Sequence, residues 1–249
     1  LTMWADKKHR RLERNVLTNA SKIITVSKSW ANDLLNISGI NPIVINNGFD
    51  STDFKNAGKL PLDVKFSITH AGSLNKDRNP FILWKVLEEL VKVNSDFASK
   101  LEIKLIGPID ITVKEALKKH NLMQYTRLID SLPHKEVIPH LITSQVLLLP
   151  LNNVPNIEGI IPGKMYEYLG ALRPIICIGD IDGDAAEIIY ETQTGSVVGF
   201  SDKNKLKKEV LKLYDDYKLG VLEINSNHYN KYSRKQLAER FAIIFNQML

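Results

Sequence analysis

The chain has 249 residues, 44% of them hydrophobic and 24% charged, with a formal net charge of +5. That is ordinary for a globular protein with one large domain or two small ones. Basic residues are interspersed with acidic ones and form no dense run, which argues against a nucleic-acid partner; the modest positive balance suits anionic ligands or an anionic membrane surface.

The chain opens at Leu1 directly in a helical pattern, which predicts a portion of a longer polypeptide. Residues 2–22 are strongly basic and helical in period. The runs IITVS (23–27) and PIVINN (42–47) read as strands around a short helix at 29–37, and residues 50–65, with Gly58 and Pro61, as a linker. From Phe66 onward, strands at 66–72, 101–107, 127–130, 145–151, 173–179 and 195–200 alternate with helices at 79–94, 112–121, 134–142, 164–171, 184–191 and 203–217. A last helix is predicted at 234–247. Several of these strands are apolar throughout, as expected of strands covered on both faces of a parallel sheet. The predicted fold is therefore α/β, a doubly wound, Rossmann-like parallel sheet. Cys177, the one cysteine, sits in the apolar run PIICIG and reads as core. No secretory signal is visible and no apolar run approaches the roughly 20 residues of a spanning helix, so the expected location is cytoplasmic.

The segment EGIIPGKMYEYLGALRPIICIG (158–179) carries the most chemistry. Gly159 and Gly163 are expected to turn backbone amides outward where the helix near Lys164 leaves its first N–H groups unpaired. Free amides and the helix dipole both favour a phosphate there. Glu167, one turn in, is placed to accept hydrogen bonds from a ribose diol. Ligands of doubly wound sheets bind beyond the carboxyl ends of the strands. After the 66–72 strand come Gly72, Ser73, Lys76 and Arg78, and Arg78 offers a fork for two phosphate oxygens. Ser131, after the 127–130 strand, is placed to bracket a nucleobase edge, while His134 reads as a helix-start residue. The single glycine of AGSLNK fails the dinucleotide fingerprint, and no Walker lysine motif is present. Asp180-Ile181-Asp182 looks like the Asp-x-Asp of metal-dependent sugar transferases, and Asp180, Asp182, Asp184 and Glu191 fall at some calcium-loop positions. Ala185, however, stands where that loop needs glycine. A tight turn with Asp184 as N-cap is the reading adopted, with no metal. Met165, Tyr166, Tyr168 and Leu169 read as the packing face of their helix.

ASKIITVSKSWANDLL followed by PIVINNGFDSTDF resembles the stretch joining the two halves of GT-B glycosyltransferases, especially family-four enzymes. Asn47-Gly48-Phe49-Asp50 matches their Asn-Gly-x-Asp. GKMYEYLGALRPIICIG is similar to the same family's donor-binding segment, with Glu167 at the second glutamate of its Glu-x7-Glu motif. The resemblance implies that the chain is the C-terminal, donor-binding half. Arg78 would meet the diphosphate of a UDP- or GDP-linked sugar, Glu167 the ribose, and residues from Glu158 and Gly159 through Gly163 and Lys164 the sugar and phosphates. Arg78 and Glu167 would also act in catalysis. Two departures stand out. Gly159 occupies the first glutamate position, with Glu158 one residue early, and Ser73 stands near the first position of the usual Arg-then-Lys phosphate pair.

Residues 1–28 would then be a remnant of the acceptor domain and its connection, 29–232 the donor domain, and 233–249 a helix bracing the missing acceptor half. The apolar side of that helix (Leu237, Phe241, Ile244, Phe245, Leu249) is expected to be partly exposed. The implied activity is retaining transfer to a saccharide or lipid-linked acceptor in surface polysaccharide synthesis, at or near the inner face of the membrane. The nucleotide-diphosphate sugar would be a co-substrate, with no further cofactor, and this chain alone is expected to be inactive. A non-catalytic nucleotide-sugar binding module and a GT-B UDP-sugar epimerase are the alternatives.

Overall fold

The computed structural model describes residues 2–56, 59–224, 226 and 228–248. Helix α1 (Met3–Asn19) precedes a small parallel pair, β1 (Ile24–Thr25) and β2 (Ile43–Val44), joined by α2 (Lys28–Ser38). The main sheet follows: β3 (Phe66–Ala71), β4 (Leu101–Ile106), β5 (Thr126–Ile129), β6 (Val146–Pro150), β7 (Ile175–Ile178) and β8 (Gly195–Val198). Every pairing is parallel and the spatial order is β5-β4-β3-β6-β7-β8. The winding reverses between β3 and β6, and a crevice opens beyond their carboxyl ends where the following loops diverge.

Strands β3, β6 and β7 are buried along their whole length, which explains the unbroken apolar runs of β6 and β7. One face is covered by α3 (Phe81–Val93), α4 (Ser95–Lys100), α5 (Ile111–Lys119) and α9 (Lys203–Leu219); the other by α6 (His134–Thr143), α7 (Gly163–Ala171) and α8 (Asp184–Thr192). Phe66 and Phe97 both meet Tyr214 edge to face under the first face, with Phe97 and Tyr214 centroids 4.8 Å apart. Helix α4 is absent from the sequence reading, because six residues are too few to display an apolar period. Asn94 creates it: its side chain accepts from Phe97 N at 3.0 Å, capping α4 where α3 ends.

Cys177 lies in β7, fully buried, and burial pushes its thiol up to about 12. Folded protein at about pH 8 is therefore expected to resist a thiol-specific reagent that labels it fully in denaturant. Labelling of the native chain at the denatured rate would contradict this burial.

The expected linker at 50–65, of which Ala57 and Gly58 lie outside the described residues, is instead pinned to the main domain at Phe54 and Asp63. Phe54 is buried against Gly170, where an added Cβ would fall 2.6 Å from the ring. Asp63 pairs with the buried Lys104 ammonium and accepts from Ser67 Oγ at 2.6 Å. Its backbone oxygen accepts from Gln145 Nε2 at 2.6 Å, closing a polar knot at the amino end of β3.

Helix α10 (Arg234–Asn246) returns to the first strands. Leu237 and Ile244 are buried with Ile45 beside β1 and β2, and Arg240 donates to Val44 O at 2.8 Å. These two residues are thus not part of an exposed face, because the β1–β2 pair offers them an apolar partner. The exposed apolar side chains of α10 are Ile243 and Phe245, with Met248 just beyond; Phe241 is half-buried and Leu249 lies outside the described residues. Helix α1 buries none of its residues and leaves Met3, Trp4, Leu12 and Val16 exposed. Among the described residues, no helix is long and apolar enough to cross a membrane.

Candidate functional site

The crevice at the switch point is built from two loops and one helix start. At the tip of β3 the chain turns through Gly72 at φ +102°, beside Gly107 at φ +110°. A Cβ on Gly107 would stand 3.2 Å from the Gly72 carbonyl, so both turns need glycine's freedom and its small size. A short 3-10 turn, Lys76–Arg78, follows; Asn75 Oδ1 caps it by accepting from Arg78 N at 3.1 Å. Arg78 Nε then donates to Asn152 Oδ1 at 2.6 Å. Asn152 follows β6, so this bond spans the crevice and directs the guanidinium from an anchored Nε.

Helix α7 begins after Pro162, whose side chain cannot cap it. Gly163 is exposed, and a Cβ there would meet nothing within 4 Å. No side chain caps the first amides of α7, the arrangement that favours an anion, although Met165 N donates to Pro162 O at 3.0 Å. The next residue, Lys164, extends its half-buried side chain back across to β3. Its Nζ lies 3.1 Å from His70 Nε2 and 2.9 Å from where a Gly72 Cβ would be. Burial, and secondarily the Arg78 charge, lowers the Lys164 ammonium to about 8, while the Glu167 carboxylate opposes that shift. Neither Arg78 nor Lys164 forms an ion pair among the described residues.

The buried side of α7 is Met165, Tyr166, Tyr168 and Leu169, as the sequence predicts. Tyr168 Oη accepts from Ala71 N at 3.0 Å, tying α7 to the end of β3. Glu167 occupies the opposite, half-buried side, and its Oε1 lies 3.1 Å from His134 Nε2 at the start of α6. His134, a helix-start residue as read, thus also contacts the carboxylate. A depression of about 480 Å³ holds Gly163, Glu167 and His134, rimmed by Asn47, Asp50 and Arg234.

The sequence-predicted residues divide into three groups. Gly163 and Glu167 line the 480 Å³ depression, Arg78 lines a second one of about 370 Å³ beyond β6 and β7, and Lys164 reaches from α7 to Gly72 at the tip of β3. Ser73 and Ser131 are exposed and line a flanking depression of about 460 Å³ beyond β4 and β5; Lys76 is exposed near Asp110, whose carboxyl is held below the usual range chiefly by Thr112. Glu158 and Gly159 sit in a 3-10 turn packed on α2, with Glu158 exposed. Gly159 does not present an open amide as expected. It is buried under Trp30, where a Cβ would fall 2.5 Å from the indole. Sequence reasoning missed Asn152 and set His70 aside. Neither carries a local signal, since their partners lie 74 and 94 residues away.

Asp184 is also not an N-cap. Gly183 caps α8, and Asp184 instead accepts from Ser29 N at 3.0 Å and Ser29 Oγ at 3.1 Å. It thereby satisfies a free amide at the start of α2. Asp180 Oδ1 accepts from Asp182 N at 3.1 Å, closing a turn over 180–182, just before the tight turn expected at Asp182-Gly183. Among the described residues, no group of three or more His, Cys, Asp or Glu could hold a metal ion.

No family model matches the chain, and no curated protein matches it in sequence. Solved structures do. A glycosyltransferase from Rickettsia africae superposes with a TM-score of 0.75 at 14% identity, over 96% of this chain and 66% of its own. HepE of Anabaena in complex with UDP gives 0.74 at 14%, over 97% and 68%. A variant of S. aureus TarM, solved with fondaparinux, alpha-GlcNAc-glycerol and UDP, gives 0.68 at 18%, over 95% and 46%. The chain thus shares the Rossmann-like fold found in these glycosyltransferases. It spans about half to two thirds of their length.

Proposed function

We propose that the chain is the donor-binding part of a glycosyltransferase and holds a UDP- or GDP-linked sugar at the β3–β6 crevice. One observation carries the reading: two cations without ion-pair partners among the described residues, Arg78 and Lys164, lie near enough for the Arg78 charge to lower the Lys164 ammonium, and Lys164 stands in the first turn of a helix with no side-chain cap. A diphosphate is the ligand that uses all three. The UDP in the HepE and TarM structures supports the same reading. In this reading residues 1–28 connect to an acceptor domain, 29–232 bind the donor, and 233–249 brace the acceptor side.

Cleavage at the anomeric carbon would put negative charge on the departing diphosphate. Arg78, Lys164 and the α7 amides would stabilise that charge more strongly in the transition state than in the ground state. Glu167, oriented by His134, would accept from the ribose diol. Retention of configuration, a saccharide or lipid-linked acceptor, a part in surface polysaccharide synthesis and a cytoplasmic place near the inner membrane face all rest on the sequence resemblance.

Calorimetric titration with UDP and GDP tests the reading. The parent is expected to bind, with Glu167→Ala about tenfold weaker for the ribonucleotide and unchanged for its 2′,3′-dideoxy form. Equal loss for both forms would remove Glu167 from the ribose. A second reading, a binding module without catalysis, is favoured by Gly159: Trp30 leaves no room for a carboxylate there. Sugar products from the chain together with its acceptor domain would exclude it, and epimerised nucleotide sugar would point to an epimerase.

A further inference from the structure

His70 is fully buried in β3, two residues before the turn at Gly72. A buried histidine with no role in packing usually answers to a hydrogen bond. Here both ring nitrogens are engaged. Nδ1 lies 3.0 Å from the Leu148 carbonyl oxygen, which can only accept, so Nδ1 carries the proton. Nε2 is thereby left as a lone pair, and the Lys164 ammonium donates to it at 3.1 Å. Burial and the Lys164 charge lower the imidazole to about 3, which keeps it neutral and keeps Nε2 an acceptor. An acidic partner at this place would have cancelled the lysine's charge. A neutral acceptor fixes the ammonium's position and leaves its charge available.

We propose that His70 is a positioning residue that holds Lys164 at the tip of β3, so that Lys164 serves as the second cation for the diphosphate where Ser73 supplies none. This rests on the donor-site reading above. The second cation thus reaches the site from α7, on the far side of the crevice from Arg78's own loop, and the two charges approach the ligand from opposite sides. Gly72 is part of the device: its missing Cβ is the space the ammonium fills.

The test is calorimetry with UDP, inorganic pyrophosphate and uridine on the parent, His70→Leu, His70→Gln and Lys164→Arg, with near-ultraviolet circular dichroism to check folding. His70→Leu is expected to weaken UDP and pyrophosphate about tenfold and uridine not at all. His70→Gln keeps an acceptor near the place of Nε2 and should recover affinity to within about threefold of the parent. The groups facing Lys164 are His70 from β3, Arg78 from the following turn and Glu167 from α7. Parent affinity for UDP should therefore fall as pH rises through about 8, and Lys164→Arg should flatten that fall. Parent-like binding by a folded His70→Leu, or equal losses for UDP and uridine, overturns the inference while leaving the donor site standing. A His70→Leu that fails to fold leaves the decision to Lys164→Arg, where an unchanged pH profile overturns it. A parent that binds neither UDP nor pyrophosphate overturns both readings.

Discussion

Arg78→Ala is expected to weaken UDP and GDP binding about a hundredfold while leaving uridine affinity unchanged. A charge-assisted hydrogen bond contributes about 1.5–3 kcal/mol, and a guanidinium can make two to a diphosphate. Because Nε is already anchored on Asn152 at 2.6 Å, the two terminal nitrogens meet the ligand with little further ordering. Lys164 remains in the variant, so the loss is about 2.7 kcal/mol rather than the whole electrostatic contribution. Arg78→Lys keeps the charge but loses both the fork and the Asn152 anchor, and should fall between, about tenfold weaker. Affinities within about threefold of the parent for Arg78→Ala would take the guanidinium out of the site.

Acid is expected to destabilise the fold through His70. Its folded-state value is about 3 against an ordinary 6.5. Between those values the unfolded chain takes up a proton that the folded chain refuses. Stability therefore falls as pH falls through that window, by up to about 1.4 kcal/mol per pH unit. At about pH 4.5 the loss from this one group approaches 2.5 kcal/mol. Urea unfolding across the window should show a shallower acid decline in His70→Gln than in the parent. Glu88, held down to about 2 by Lys92 and His120, drives the parent in the same direction but is common to both proteins and cancels in the difference. Parallel stability curves would show that His70 is protonated in the native fold.

The sheet was legible because burial on both faces leaves runs such as VLLLP and IICI with no polar interruption. The start of α7 was legible for a local reason too: Pro162 and Gly163 fix where its helix can begin. What could not be read depends on contacts between distant segments. Gly159 suggested a free backbone, but its smallness answers to Trp30 on another helix. Asp184 suggested a cap for its own helix and instead accepts from the Ser29 amide in the first turn of α2. His70 looked like a solitary core histidine until Lys164, from the far side of the crevice, reached its ring. The linker at 50–65 has loop composition, yet Asp63 and Phe54 pin it to the core through partners its local pattern does not name.

The bond from Arg240 to Val44 joins residues 196 apart in the chain. Ile45, Leu237 and Ile244 share one apolar cluster, so the β1–β2 pair has no lid until α10 has been made. On a ribosome, the earlier of these segments must wait for the later one, while the six-stranded sheet between them can already wind. The two-strand unit is then a late-closing clasp. Such a long-range closure is expected to be slow, leaving Ile24, Ile43 and Ile45 uncovered by α10 until that helix has been made.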